Sequence, residues 1–541
     1  MKFLTITTVD KGKCAIASCD VSRSSLIHTE EPYAAVILKN CRESHCHHCF
    51  CELSSSMIPC TSCSVAIYCS EECRARAGGD NQKRYSKEDL SHISLDHHKE
   101  YISDLCTYRY QFLDFEQHRE HPRECFGVSW PVVLPPDIVL TGRIIARSGL
   151  KESDSTDSSY QDLAHNYSHM TPESKLELHI YAAVLVFCLK RGNSFVQPVD
   201  KVSLAKVTTL ISQVRTNSMA IVQMKSVDSI CPLNGKVQFS ARSTSIIEQV
   251  PVGQAIYITG SLFNHSCEPN VHAYFLSRTL YIRASEFVAA GSHLELSYGP
   301  QVGLSDCHER RRFLADKYFF NCNCSGCSEL NISDVSINAF RCTNRDCAGV
   351  VSEAEKCSLS SKKFPSKAQS LQYLSKVINF DMLHRFQPGF CLKCGFPCDV
   401  EASKDTLKTA LASIESLSNA MKRDQIYPSL LLASFEAIDH LKTVLHDYNR
   451  SIAKAEDIVA QACCVVGDLK SAVKLCKNSI KILETLYGDD HIAIGYELVK
   501  LATLKESIGK PSKSIYERLR GIFHAYYALH APIIFPLFTN I

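Results

Sequence analysis

No stretch of this chain stays apolar for the roughly 18 to 20 residues that a membrane-crossing helix needs, so a helical membrane span is not expected. An excess of one charge is missing as well. The 59 basic residues face 57 acidic ones, for a formal net charge of +2. That balance argues against a protein that holds nucleic acid by bulk electrostatics, and leaves room only for local patches. The opening residues, MKFLTITTVDKGK, have neither the apolar core nor the small-residue cleavage site of a secretory leader. No basic cluster resembles a strong nuclear signal, so nucleus and cytoplasm both remain open.

Cysteine, by contrast, is abundant. The 541 residues include 28 cysteines, in a composition otherwise ordinary for a soluble globular protein of two to four domains. Without an export signal, so many thiols rarely mean disulfides. They point to metal where the spacing suits it. In CHHCFCELSSSMIPCTSCSVAIYCSEEC, Cys46 and Cys49 form one CxxC pair and Cys60 and Cys63 another, while Cys69 and Cys73 suit one turn of a helix. HPREC adds His121 and Cys125 with the same spacing as that last pair. Tetrahedral zinc takes four thiolate or imidazole ligands. Alternating pairs then give Cys46, Cys49, Cys69 and Cys73 on one ion and Cys60, Cys63, His121 and Cys125 on the other. His97, His98 and Cys106 lie in the 47-residue gap before His121 and are the alternatives for completing the second site. Cys51 reads as a bystander, and the gap, rich in Lys, Asp and His, as an exposed and partly helical insert.

YFFNCNCSGC places Cys322, Cys324 and Cys327 as C-x-C-x-x-C, one ligand short of a tetrahedral site. Cys267, in SLFNHSCEPNV, is the candidate fourth ligand. A further candidate pairs Cys342 and Cys347 with Cys391 and Cys394, in the manner of a small zinc ribbon, with Cys398 and Cys357 as spare thiols.

The first cluster resembles the MYND zinc finger, and NHSCEPN together with CNCSGC resembles the SET domain and its post-SET zinc. The chain is thereby identified as similar to the SET-and-MYND-domain protein lysine methyltransferases, and looks most like the branch called SET and MYND domain-containing protein 4. The resemblance implies an α+β fold: a split, β-rich SET domain with a threaded C-terminal segment, an inserted MYND zinc finger, a post-SET zinc site and an α-helical, TPR-like C-terminal domain. It sets the domains at 1–45 for the N-terminal SET segment, 46–125 for the finger with its long insert, and 126–245 for an insert region. The core SET follows at 246–300, the post-SET segment at 301–330, the candidate ribbon and linker at 331–402, and the helical domain at 403–541. That branch often carries N-terminal helical repeats. This chain opens directly on the SET segment, which suits a short form or a different subtype.

The same resemblance implies S-adenosyl-L-methionine as cofactor and zinc as resident metal, three ions with a fourth at the ribbon. KGKCAIASCDV aligns with the Gly-rich cofactor loop through Gly12, Lys13 and Cys14, the last standing where the family has its second glycine. VRTNSMAIV aligns with a strand that brings Asn217 to the cofactor, and Asn264 and His265 would bind its amine, carboxylate or adenine. Tyr298, in HLELSYG, matches the catalytic tyrosine, Tyr318 is the second aromatic wall, and Phe320 stacks near the adenine. The implied partners are a protein substrate, histone or non-histone, and a proline-rich peptide at the finger, with the chain a monomer. The competing function is a catalytically silent zinc adaptor that recruits protein partners in transcriptional regulation.

The remaining segments are read from pattern. ESDSTDSSYQD is a polar surface loop, TPESKLELHIYAAVLVFCLK a capped and packed helix, and DSICPLNGKVQFSARST a loop. From about Lys404 onward, apolar and small residues recur at helical spacing, with Gly467 and Gly509 about 42 residues apart, as in stacked helical pairs. The apolar tail APIIFPLFTNI must dock somewhere, or it reflects an altered gene product.

Overall fold

The computed structural model describes residues 2–8, 11–54, 57–63, 65–79, 120–125, 130–148, 159–191, 204–226, 231–233, 236–238, 247–352, 362–366, 368–383, 387–423 and 425–535. Much of the polar loop around 149–158, the long insert after Gly79, His97, His98, Cys106, Cys357 and the end of the tail lie outside them.

Short, β-branched runs make the first half a set of small sheets. β1 (Phe3–Thr8) and β2 (Gly12–Ala17) form an antiparallel hairpin. β3 (Leu26–Glu30) is an edge of a sheet completed by β11 (Val271–Leu276) and β12 (Thr279–Ala284), in the order β11-β12-β3. β4 (Ala34–Ile37) pairs with β10 (Ile247–Ile256), which also pairs with β7 (Met219–Ser226). Strands from both ends of a long sequence interval thus meet in one core, where Ala15, Ala35, Val252, Ala255, Phe263, Leu280 and Ile282 are buried. The segment expected to be loop before β10 contains a short antiparallel strand pair, β8 (Cys231–Leu233) with β9 (Lys236–Gln238).

The cysteine-rich module after β4 is small. It has a two-residue hairpin, Ile58–Pro59 with Ile67–Tyr68, and α1 (Glu71–Ala77). α1 begins at Ser70, whose side chain accepts from the Cys73 amide, and ends at Gly78 in the left-handed region. Phe50 of this module is fully buried in the neighbouring sheet core. Gly253 of β10 makes that possible, since a Cβ there would stand 2.5 Å from the Phe50 ring. The Arg278 guanidinium donates to the His48 carbonyl (3.1 Å) and Ser277 Oγ to the Cys49 carbonyl (2.7 Å), fixing the module's first loop to the β11–β12 turn.

α2 (Pro136–Ser148), α3 (Pro172–Arg191) and α4 (Leu204–Asn217) pack as a helical insert over β4 and β10, through Ile138, Ile144, Leu178, Leu185 and Ile211. The Ser174 amide donates to Thr171 Oγ1 (3.3 Å) at the start of α3, which accords with the capping signal in the sequence. α5 (Cys307–Tyr318) then leads into the cysteine-rich turn at 322–327.

From Val400 onward the chain is a helical layer: α6 (Val400–Lys422), α7 (Pro428–Val444), α8 (Arg450–Val466), α9 (Leu469–Tyr487), α10 (Ile492–Ser507) and α11 (Lys513–Tyr527). Gly467 and Gly509, both left-handed, terminate α8 and α10, so the spacing of about 42 residues is one helical pair. The apolar tail begins by docking. Phe535 is buried, with its ring stacked 4.5 Å from Phe523. Among the described residues no helix is long and apolar enough to cross a membrane.

Candidate active site and metal clusters

The site forms where two backbone segments cross. The Leu296 amide donates to Asn264 O and the Ser266 amide to Leu296 O, both at 2.8 Å, so that His265 and Leu296 form a parallel bridge. This crossing lays Tyr298 over His265. The Tyr298 amide donates to His265 Nδ1 at 2.9 Å, which leaves the ring proton on Nε2, facing Cys267 Sγ at 3.2 Å. Burial lowers the His265 pKa to about 4, in keeping with a neutral ring. One imidazole therefore ties the Tyr298 backbone to a cysteine of the neighbouring cluster.

The Tyr298 hydroxyl donates to the Phe263 carbonyl at 3.1 Å. Burial raises its pKa, with Tyr318 and Glu295 adding to the effect, so the phenol stays protonated at neutral pH. Tyr318, the last residue of α5, stands with its ring 5.1 Å from that of Tyr298. His265 stands 5.3 Å from Tyr298 and 6.1 Å from Phe320. The three aromatic residues singled out in the sequence are thus brought together around His265.

Asn264 Nδ2 donates to Lys11 O and Lys13 O, each at 3.2 Å, which fastens the start of β2 to the crossing. Gly12 between them has φ +64°, and a Cβ added there meets nothing within 4 Å. The backbone at 11–13 is therefore pinned from behind and open in front, a surface that a ligand can approach closely. The Cys14 side chain is buried in β2, with 1% exposure, so any contact of this residue with a cofactor is through its backbone. Asn217 is the last residue of α4, and the strand expected in VRTNSMAIV starts two residues later, at Met219 of β7. Asn217 Nδ2 donates to the Ala164 and Gln213 carbonyls, both at 2.7 Å.

Four cysteine-rich groups converge, each with its ligand atoms within 4.8 Å of one another: Cys46, Cys49, Cys69 and Cys73; Cys60, Cys63, His121 and Cys125; Cys267, Cys322, Cys324 and Cys327; Cys342, Cys347, Cys391 and Cys394. The alternating pairing of the first two groups matches the order read from the sequence. Cys51 is exposed and outside them. Cys398 turns to Thr343 Oγ1 at 3.4 Å instead of joining the fourth group. Backbone amides point at several of the sulfurs: Ser62 at Cys60 (3.4 Å), Cys267 at Cys324 (3.3 Å), Gly349 at Cys347 (3.3 Å) and Lys393 at Cys391 (3.4 Å). Such N–H···S contacts stabilise thiolates rather than thiols, and four thiolates or three with an imidazole are the donor set of zinc. Beside the third group, burial alone would lower the Arg310 pKa, but Asp334 and the thiols of Cys327, Cys267 and Cys307 raise it. A buried cation thus faces the sulfurs.

The family model of the SET domain matches residues 12–299 of the chain. The chain belongs to the SET-domain family. Protein-lysine N-methyltransferase SMYD4 of Mus musculus is 23% identical over 91% of this chain and 63% of its own length, and the protein of the same name from Danio rerio is 22% identical over 95% of this chain and 71% of its own. Histone-lysine N-methyltransferase SMYD3 of Mus musculus is 24% identical over 60% of this chain and 61% of its own length. These relatives place the chain in the SET-and-MYND branch of the family, and it spans 63% of the mouse SMYD4 protein.

Within this SET site, three residues escaped the sequence reading. Asn166 Nδ2 donates to Thr216 Oγ1 (3.3 Å) and to Tyr318 O (3.2 Å), strapping the end of α4 to the second tyrosine. Glu295 pairs with Lys11 Nζ at 2.6 Å. Asn270 accepts from the Glu295 amide (2.9 Å) and donates to His293 O (2.8 Å), holding the extended segment that delivers Tyr298. Asn270 lay within the quoted NHSCEPN stretch, where a second polar residue close behind the cysteine was the available signal. Asn166 sits in an insert with no signal at all.

Proposed function

We propose that the chain is an S-adenosyl-L-methionine-dependent protein-lysine N-methyltransferase, with zinc in its cysteine groups. The observation that carries this reading is the pairing of Tyr298 and Tyr318 beside the Asn264–Leu296 crossing, with open backbone at Gly12 on the same loop that Asn264 holds. The relatives' activity supports it. Lys11, Gly12 and Lys13 with Asn264 and His265 would hold the cofactor, and Phe320 would border it. When bound, S-adenosyl-L-methionine supplies a methyl group on a positively charged sulfur.

The chain's own groups do the rest. A lysine amine normally carries a proton up to a pKa of about 10.4, and only its neutral form is nucleophilic. The aromatic walls of Tyr298 and Tyr318 strip water from it and favour that form. They also confine its approach direction. Because the Tyr298 proton is directed at Phe263 O, its oxygen lone pairs remain free to accept from an incoming amine or to face developing positive charge. The raised Tyr298 pKa makes this residue an orienting dipole rather than a base. Cys267, Cys322, Cys324 and Cys327 would hold a structural ion that secures the segment after Tyr318 to the crossing. Cys46 through Cys125 would form a MYND-type two-zinc finger, a docking module for a proline-rich peptide, and the helical layer a TPR-like domain. Nucleus and cytoplasm are the proposed compartments.

The test is transfer of a labelled methyl group to lysate proteins by the zinc-loaded chain and by Tyr298→Phe. Bands present with the parent and reduced by about a hundredfold in the variant support the reading. No transfer by folded, metal-loaded parent protein would move the assignment to a zinc adaptor that binds partners without catalysis.

A further inference from the structure

The fourth thiol group differs from the others in where it lies and in what it joins. Of the sixteen side chains in the four groups, Cys394 alone is exposed, whereas all four members of the Cys267 group are buried. Cys342 Sγ lies 3.6 Å from Cys394 Sγ, and Cys347 Sγ lies 3.7 Å from Cys391 Sγ. Gly349 is cramped against the group, since a Cβ there would stand 2.5 Å from Cys391 Sγ and 3.1 Å from Cys347 Sγ.

The group also sits in a joint. Two-residue strands β13 (Phe340–Arg341) and β14 (Val350–Val351) frame it, with Phe340 bridging Leu445 at the end of α7 and Val351 bridging Cys391. The His446 amide donates to Ala339 O (3.0 Å), Asn449 Nδ2 to the same oxygen (2.9 Å) and the Arg450 amide to Ile337 O (3.0 Å). Cys342 and Cys391 belong to the apolar core of the helical layer. On the opposite side, Asp334 pairs with Arg310 of α5 at 3.2 Å, and α5 ends in Tyr318. The thiol group therefore fixes the helical layer relative to the segment that builds the tyrosine pair.

We propose that Cys342, Cys347, Cys391 and Cys394 form a peroxide-sensitive zinc site, in which oxidation of Cys394 onto Cys342 expels the metal and loosens this joint. The exposed Cys394 thiolate attacks one peroxide oxygen, the O–O bond breaks, and a sulfenic acid and hydroxide result. The Cys342 thiolate then attacks Cys394 Sγ, the S–S bond forms, and a second hydroxide leaves. In sum, two thiolates are oxidised to one disulfide and one peroxide is reduced to two hydroxides. Zinc changes no oxidation state, but Cys347 and Cys391 alone cannot complete a tetrahedral set, so the ion departs. The buried thiols of the Cys267 group do not meet the oxidant, and the tyrosine site keeps its own metal.

The proposal rests on the thiol group and not on methyl transfer, so each can fail without the other. Hydrogen peroxide is titrated into the full, zinc-loaded chain, with freed zinc read by a chromophoric chelator and disulfides by peptide mapping. The expected result is four metal equivalents at the start, loss of one before the remainder, and a disulfide that contains Cys394. Reductant with added zinc restores the fourth equivalent. The His446 and Arg450 amides lose hydrogen-exchange protection in the oxidised form only. Cys394→His, which keeps a zinc ligand but removes the attacking thiol, holds all four equivalents at the peroxide level that strips the parent. Three equivalents at the start, a first disulfide that leaves Cys394 reduced, or unchanged protection at His446 and Arg450 would each overturn the proposal. Mapping on the unmutated chain decides the point even where the histidine variant loads poorly.

Discussion

At the scale of single residues, the tyrosine pair is positioned by side chains packed behind it. His265 accepts from the Tyr298 amide and points its other nitrogen at Cys267, and Asn166 holds the Tyr318 carbonyl. Asn166→Ala removes a strap and leaves both tyrosines in place. The expected outcome is a lower kcat/KM for methyl transfer, at a cost to global stability of only about 1 kcal/mol. Steady-state kinetics beside a denaturant titration checks this, and an unchanged kcat/KM would separate Asn166 from the site. Gly349→Ala pushes a methyl group into the sulfurs of Cys391 and Cys347, and metal analysis is expected to find one zinc equivalent fewer than in the parent. The four converging thiol groups were legible in the sequence because their members stand in short, regular spacings and the first two sets of pairs alternate along the chain. The helix end at Asn217 was less legible. Whether a residue closes a helix or opens the strand that follows is decided by partners far away in sequence, here the apolar side chains that pack on α4.

At the scale of elements, the first cysteine module is held to the sheet core by one aromatic plug. Phe50 is buried against β10 where Gly253 leaves room, with the Arg278 guanidinium 5.6 Å above the ring. Phe50→Ala empties that position, and large-to-small changes of this kind cost about 3 to 5 kcal/mol. Gly253→Ala creates the opposite fault, forcing a methyl group into the plug at about 1 to 3 kcal/mol. Thermal unfolding of each variant tests the pair. Comparable losses in both identify the contact as the docking point, whereas a silent Gly253→Ala would mean that the ring moves aside freely. The sequence marked Phe50 only as a residue between two cysteines, because nothing local says that a small cysteine-rich module borrows its core from a neighbour. Helical pairs were easier to see. Their apolar spacing and the glycines at 467 and 509 are local signals, and the structure caps α8 and α10 at those residues. How the helices dock was not legible, since that depends on which apolar face meets which sheet.

At the scale of the whole molecule, the helical layer meets the β11–β12–β3 sheet along an aromatic seam whose stability depends on pH. His272 of β11 stands edge-on to Tyr526 (5.0 Å) and Tyr527 (5.4 Å) of α11, and its Nε2 has no hydrogen-bond partner among the described residues. Burial, with His491 as the second cause, lowers the His272 pKa to about 3. Burial lowers that of His491 to about 4, while its ring stacks 4.8 Å from Tyr487 and bonds Gln301 at 3.1 Å. Around them stand the rings of Tyr274, Tyr526 and Tyr527, and at the rim the Arg23–Asp490 pair at 3.0 Å. In the unfolded chain both imidazoles titrate near 6.5. Their folded values are lower, so the unfolded state takes up more protons between the two limits. The seam's contribution is complete above about pH 6.5 and is lost as pH falls toward about 4 for His491 and about 3 for His272. Metal ligands also protonate in acid, so the parent alone cannot isolate the effect. The comparison with His272→Leu does. Denaturant titrations at about pH 7 and about pH 5 are expected to show a larger loss of stability in the parent than in the variant, because the variant has one fewer suppressed proton to take up. Equal losses in the two proteins would mean that His272 is already protonated in the folded seam, and that water reaches the nitrogen this packing shields.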